Sequence, residues 1–121
     1  VERGSAWRRR TMTDSPRRGE VWWVSFDPSV GGEVRKTRPA VIISNDAANR
    51  RMNRIQVVPV TSNVERVYVA EALITVAGQP GKAMADQITT ASKLRLGRRI
   101  GMLSAADLSG VERAVRLQLG L

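Results

Sequence analysis

Arg35-Lys36-Thr37-Arg38-Pro39-Ala40-Val41-Ile42-Ile43-Ser44-Asn45-Asp46 runs a cationic cluster straight into an apolar, β-branched strand. Arg38 stands immediately before the apolar run, so its guanidinium is anchored at one end by a rigid element and free at the other to meet an anion. That placement suits a phosphate-handling arginine.

Around this stretch, short apolar runs separated by turn residues follow at strand-like intervals from Gly19 onward. In Glu20-Val21-Trp22-Trp23-Val24-Ser25-Phe26, one face carries Trp22, Val24 and Phe26, and the other carries Val21 and Trp23. A strand apolar on both faces belongs inside a small barrel or against a partner. Residues 27–34 place one proline and two glycines among polar residues, which predicts a solvent-facing loop able to close on a ligand. Residues 39–44 and 55–60 predict two strands, joined by a polar segment 45–53 with room for a helical turn. Pro59 argues for a strand end or a bulge. Residues 67–76 and 82–89 predict further strands divided by a turn at Gly78-Gln79-Pro80-Gly81, and residues 98–103 a last short one.

The period changes at the C-terminus, where Leu108, Val111, Val115 and Leu119 share one face at helical spacing. Ser104 with Asp107 resembles a capping box with Asp in place of Glu, and Gly120 is placed to stop the helix. Glu112 and Arg116 are expected to pair at i,i+4, for about a few tenths of a kcal/mol.

Composition narrows the partner. Twenty Lys and Arg against eleven Asp and Glu give a net charge of +9 on 121 residues, a field that favours nucleic acid or another polyanion. A generic solvated surface explains the charge about as well by itself. Residues 1–18, with six arginines and two acids, are expected to be a disordered basic leader. Met12 is a candidate start, which makes the first eleven residues an upstream extension; residues 19–121 form the folded domain. That length supports one modest core, so a homodimer is expected.

The chain has no Cys and no His, which removes disulfides, thiolate metal sites and the usual neutral-pH acid–base. Glu33, Asp46, Glu65, Asp86 and Asp107 are scattered without the spacing of a metal cage, so metal- and cofactor-independent activity is expected. No segment approaches the roughly eighteen apolar residues of a membrane span. Arg8-Arg9-Arg10 is followed by polar residues rather than the apolar core of an export leader, so a cytoplasmic protein is expected.

The pattern resembles the MazF/PemK (Kid-type) family of toxin endoribonucleases across residues 18–121. Its carriers are Arg18-Gly19-Glu20-Val21-Trp22, the Lys36 to Asp46 block, Val58-Pro59-Val60-Thr61-Ser62, Asp86-Gln87-Ile88, Ile100-Gly101-Met102-Leu103-Ser104 and Leu119-Gly120-Leu121. Each is weak alone; their order and spacing are specific together. The resemblance implies a mainly β, Src-homology-3-like barrel of the CcdB/Kid type with a C-terminal amphipathic helix. It also implies dimerisation, cleavage of single-stranded RNA, and an acidic cognate antitoxin. The implied reaction is attack of a ribose 2′-hydroxyl on the adjacent phosphate, leaving a 2′,3′-cyclic phosphate and a 5′-hydroxyl.

On the same resemblance, Arg38 and Thr61 take the central roles. Arg38 offers a planar fork of donors to the phosphate, while Thr61 donates to it or orients the 2′-hydroxyl. Asp86 is the spare carboxylate and Gln87 beside it a reader of base edges, with Thr89 standing where relatives often carry an arginine. Glu33, Arg35 and Lys36 fall on the expected RNA-binding loop.

Plainer readings stand beside these. An isolated arginine is more often a surface cation, an isolated threonine a strand-end turn residue, and Asp86 a balance for nearby cations. Asn45-Asp46 reads better as a cap than as an RNA contact. Trp22 and Trp23 read better as core or dimer packing than as base stackers. A sister family of the same barrel poisons DNA gyrase without cutting RNA, and a plain RNA-binding barrel would need only the basic surface. Both of those predict intact RNA.

Overall fold

The strand that is apolar on both faces lies between two cores. In the computed structural model, which describes residues 15–26 and 36–121, β1 (Glu20–Ser25) buries Val21 with one cluster and Trp22 and Val24 with another. It pairs antiparallel with β2 (Thr37–Ile42) on one edge and β7 (Leu96–Met102) on the other. β3 (Arg54–Thr61) lies beside β2, and its far edge is shared: Arg54 to Val57 pair with β6 (Thr89–Ser92), while Val60 and Thr61 pair with β5 (Gln79–Met84). β4 (Glu71–Val76) completes the order β4-β5-β3-β2-β1-β7. The seven antiparallel strands curl into a half-barrel, with one apolar face inside the curl and the other under a C-terminal helix, α2 (Ala105–Leu119). The expected barrel with a terminal helix is the observed architecture.

The inner cluster joins Trp22, Val24, Ala40, Ile42, Ile55, Val57, Ala91 and Leu96. The cluster beneath α2 is built on the register Val21–Val41–Val58 and closed by Val111 and Ala114. At about 1.5–3 kcal/mol per buried valine or isoleucine, these two faces dominate the stability.

Several local expectations are corrected. The hairpin between β4 and β5 turns on Ala77-Gly78, not on residues 78–81. Both turn residues take positive φ, +50° and +75°, as a two-residue hairpin turn requires. Pro80 sits inside β5 opposite Thr75, short of Lys82 and Ala83, the residues through which β5 pairs with β3. There its missing N–H costs no rung on that edge. Pro59 likewise lies within β3, between the stretch that pairs with β6 and the stretch that pairs with β5. The strand expected over 82–89 ends at Met84, and Ala85–Gln87 form a 3₁₀ turn. The strand expected from residue 67 begins only at Glu71.

Ser104 caps α2 by accepting from the Asp107 N–H at 3.1 Å, but the Asp107 carboxylate accepts from the Thr75 N–H at 2.9 Å and so ties the helix to β4. Gly120, at φ +72°, stops the helix, with the Leu121 N–H donating to the Arg116 carbonyl at 2.9 Å. Glu112 does not pair along the helix as expected: its carboxylate binds Arg18. That contact belongs to an ordered entry segment. Arg18 also donates through its backbone N–H to Asp46 and through Nε to the Ile43 carbonyl, and Ser15 bonds the Asn49 carbonyl. Residues 15–18 of the expected leader are therefore fixed on the domain, and residues 1–14 lie outside the described residues.

The polar segment after β2 does hold a helical turn, α1 (Asp46–Arg51), capped by the Asn45 side chain on the Ala48 N–H at 2.8 Å. Beneath it lies a buried polar hub. Asn49 is fully buried, accepts from Ser44 Oγ at 2.5 Å and donates to the Ser44 carbonyl at 2.9 Å. Ser44 Oγ in turn accepts from the Gln56 N–H at 3.0 Å. Lys93, on the 3₁₀ turn Lys93–Arg95, sends its buried ammonium to the Asn49 carbonyl.

Burial holds that ammonium below its ordinary 10.5. The unfolded chain then binds more protons than the native one between the lowered value and 10.5, so this group adds stability as pH rises through that window. Urea denaturation of wild type and Lys93→Met at a series of alkaline pH values should show the wild type gaining on the variant toward pH 10.5. A constant difference would refute the buried-ammonium account.

Candidate active site at the β2–β3 strand ends

The site is created by register. Ala40 faces Pro59, Val41 faces Val58 and Ile42 faces Val57. Beyond this ladder the two strands run on to Arg38 and Thr61, far apart in the chain, which line the same cavity. β1 sets Val24 beside Arg38, and β5 sets Lys82 beside Thr61. Thr61, Lys82 and, beyond it, Leu73 of β4 therefore stand in one row of side chains across the sheet.

Arg38 and Thr61 open into a cavity of about 490 Å³, within the size range of small-ligand sites. Its polar wall holds Lys36, Thr37, Arg38, Thr61, Ser62 and Gln79. Its apolar wall holds Trp23, Pro39, Val60, Val76, Pro80 and Ile100, contiguous with the core under α2. The Lys36 carbonyl accepts from the Phe26 N–H at 2.9 Å, which closes β1 and β2. Lys36 itself is left-handed at φ +64°, a conformation that costs a lysine about 1–2 kcal/mol.

Arg38 is half-buried, and its Nε is fully buried with no hydrogen-bond partner. An unsatisfied buried donor costs about 1–3 kcal/mol, which an acceptor entering the cavity would recover. Thr61 is complementary. Its Oγ1 accepts from the Asn63 N–H at 3.2 Å, which leaves the hydroxyl hydrogen free to be donated elsewhere. A buried fork of N–H groups, a primary ammonium and a free hydroxyl around one opening are the donors a phosphate group requires.

The remaining expected site residues separate into two groups. Asp86 and Gln87 sit on the 3₁₀ turn after β5, with Asp86 exposed, and neither lines the cavity. Glu33 and Arg35 lie outside the described residues. Gln79 and Trp23 line the cavity without having been picked out for it: Gln79 was taken for part of a turn and Trp23 for packing. Among the described residues, no three carboxylates gather as a metal-binding cluster, and no helix is long and apolar enough to cross a membrane.

Fold and site together define a small antiparallel β-barrel protein with a donor-lined cavity at the ends of its two central strands. The family of PemK-like, MazF-like toxins of type II toxin–antitoxin systems matches residues 17–119. The chain belongs to that family. It is 45% identical over 115 residues to the endoribonuclease MazF9 of Mycobacterium tuberculosis, covering 87% of this chain and 97% of the relative. It is 28% identical over 106 residues to the endoribonuclease toxin MazF of Escherichia coli K12, covering 87% and 95%. Among solved structures, MazF of Deinococcus radiodurans superposes with a TM-score of 0.79 at 28% identity, covering 88% of this chain and 98% of that one. A mycobacterial endoribonuclease in complex with its cognate antitoxin superposes at 0.74 and 26% identity, covering 88% and 96%.

Proposed function

We propose that this chain is a toxin endoribonuclease that cuts single-stranded RNA without a metal ion and is silenced by an acidic antitoxin. The observation that carries the reading is the buried Nε of Arg38, without a partner among the described residues, which shares with Thr61 a cavity of nucleotide dimensions. The ribose 2′-hydroxyl gives its proton to water as its oxygen attacks phosphorus, the P–O5′ bond breaks as O5′ takes a proton from water, and a 2′,3′-cyclic phosphate and a 5′-hydroxyl result. Arg38 binds the non-bridging oxygens as their charge grows, and Lys36 adds a second cation at the cavity wall. The Thr61 hydroxyl donates to the same phosphate. An arginine keeps its proton at neutral pH, so Arg38 acts through charge rather than as a base. Asp86 and Gln87 lie outside the cavity and are assigned to RNA beyond the scissile phosphate, as are Glu33 and Arg35 in the sequence preceding β2. The active unit is a homodimer in the cytoplasm.

The deciding experiment incubates the purified protein with a long mixed-sequence RNA in EDTA beside Arg38→Ala, then maps and types the cut ends. Discrete cuts with cyclic or 3′-phosphates, absent in the variant, support the reading. Intact RNA from folded wild-type protein would sink it in favour of a gyrase poison or a binding module. Thr61→Val should lower the single-turnover rate about tenfold, the worth of roughly one neutral hydrogen bond, with little change in KM. An unchanged rate would remove Thr61 from the reaction.

A further inference from the structure

The row of side chains that contains the site does not stop at Thr61. Lys82 stands directly opposite Thr61 on β5, and Leu73 directly opposite Lys82 on β4. Lys82 is buried, yet its ammonium already has partners: the Glu71 carboxylate at 3.1 Å and the Arg66 carbonyl at 2.6 Å. It is not available to a second phosphate. What it does is fix the segment between β3 and β4, because its Nζ lies 5.7 Å from the centroid of the Tyr68 ring and the Tyr68 N–H donates to Glu71 at 2.8 Å. The result is an aromatic ring held by a cation–π contact, a backbone hydrogen bond and a clamped neighbouring carbonyl, yet 59% exposed. Leu73, Val67 and Val69 are exposed around it, an apolar patch that the folded core does not use.

With strands about 4.8 Å apart, Lys82 is one strand spacing from Thr61 and leaves the sheet on the same side as Thr61, carrying the Tyr68 ring with it. We propose that Tyr68 is a stacking platform for a nucleobase next to the nucleotide being cut, and so an affinity- and specificity-determining residue. This rests on the endoribonuclease reading above. The strand pairing that puts Lys82, and with it Tyr68, beside Thr61 selects a base of the bound RNA as the occupant. Single-stranded RNA presents unpaired bases that stack on rigid aromatic faces while its phosphates bind cations. The neutralised Lys82–Glu71 pair makes this position a place for a base, not for another phosphate.

The test uses a short 5′-fluorescein RNA spanning a mapped cut site, with a 2′-deoxynucleotide at the cut to block cleavage. A matching set carries a single abasic residue at each position in turn. Anisotropy should show Tyr68→Ala binding the intact RNA about 5- to 100-fold more weakly, with Tyr68→Phe close to wild type. Removing one base beside the cut should weaken wild type by a similar factor and cost Tyr68→Ala nothing more. On the cleavable RNA the rate at saturation should be unaltered. Equal binding by wild type and Tyr68→Ala, or an abasic penalty that persists unchanged in the variant, would overturn the platform. Failure of wild type to cut any RNA would instead overturn the endoribonuclease reading, and anisotropy of wild type against Tyr68→Ala with a mixed-sequence single-stranded RNA would still decide whether Tyr68 holds a base.

Discussion

Replacing Arg38 by methionine should slow RNA cleavage by about 10²–10³-fold, or roughly 3–4 kcal/mol of barrier, while leaving the protein at least as stable as wild type. The two halves of this expectation have one cause. In the proposed reaction the guanidinium is the donor set aimed at the transition-state charge, and its Nε is buried without a partner among the described residues. An unsatisfied donor of that kind is a standing cost of about 1–3 kcal/mol to the folded state, removed when methionine fills the same volume. Single-turnover kinetics and urea denaturation on the same preparation check both halves. A variant that loses activity and also unfolds much more easily would mean that Arg38 braces the strand ends, and its activity loss would no longer report on the phosphate.

The largest stability effect is expected at Asn49. Asn49→Leu should destabilise the fold by about 2–4 kcal/mol, because it strands the Ser44 carbonyl and hydroxyl in a dry interior. For a domain of this size that corresponds to a fall of roughly 10–25 °C in melting temperature. Cleavage measured well below the new midpoint should be close to wild type, since the hub grips the Gln56 end of β3 and the site lies at the Thr61 end. Calorimetry showing an unchanged midpoint would mean that the hub is a consequence of the fold and not one of its supports.

The parts of the fold that were legible in the sequence are those set by periodicity. The alternation in residues 20–26 predicted a strand buried on both sides, and Val21 and Trp22 do enter different clusters. Helical spacing with Ser104 and Gly120 at its ends gave α2 with its caps. What escaped is decided by tertiary context. Pro80 resembled a turn marker because proline breaks ladders, but at its place in β5 there is no rung on the β3 side to break. Ala77 gave no turn signal because alanine rarely adopts positive φ. Glu112 was paired with Arg116 by helical spacing, but the entry segment brought Arg18 within reach. The hub of Asn49, Ser44 and Lys93 was illegible because polar residues in a polar segment look exposed until another element covers them. Arg38 and Thr61 stand out as a pair only through family resemblance, and the structure places both at the wall of one cavity. Asp86, equally prominent in sequence, sits on a turn that points it elsewhere.

Because pairing of Ala40–Ile42 with Val57–Pro59 is what brings Arg38 and Thr61 to one cavity, a single residue inserted or deleted between 38 and 42, or between 57 and 61, would turn one of the two to the opposite face of the sheet. The same change in the segments before Thr37 or after Thr61 would leave that pairing intact. The chain thus divides into a stretch where length is forbidden to drift and stretches where it is free to. Relatives are expected to differ in length at these free connections and to vary there in the RNA they choose, while the means of cutting it stays the same.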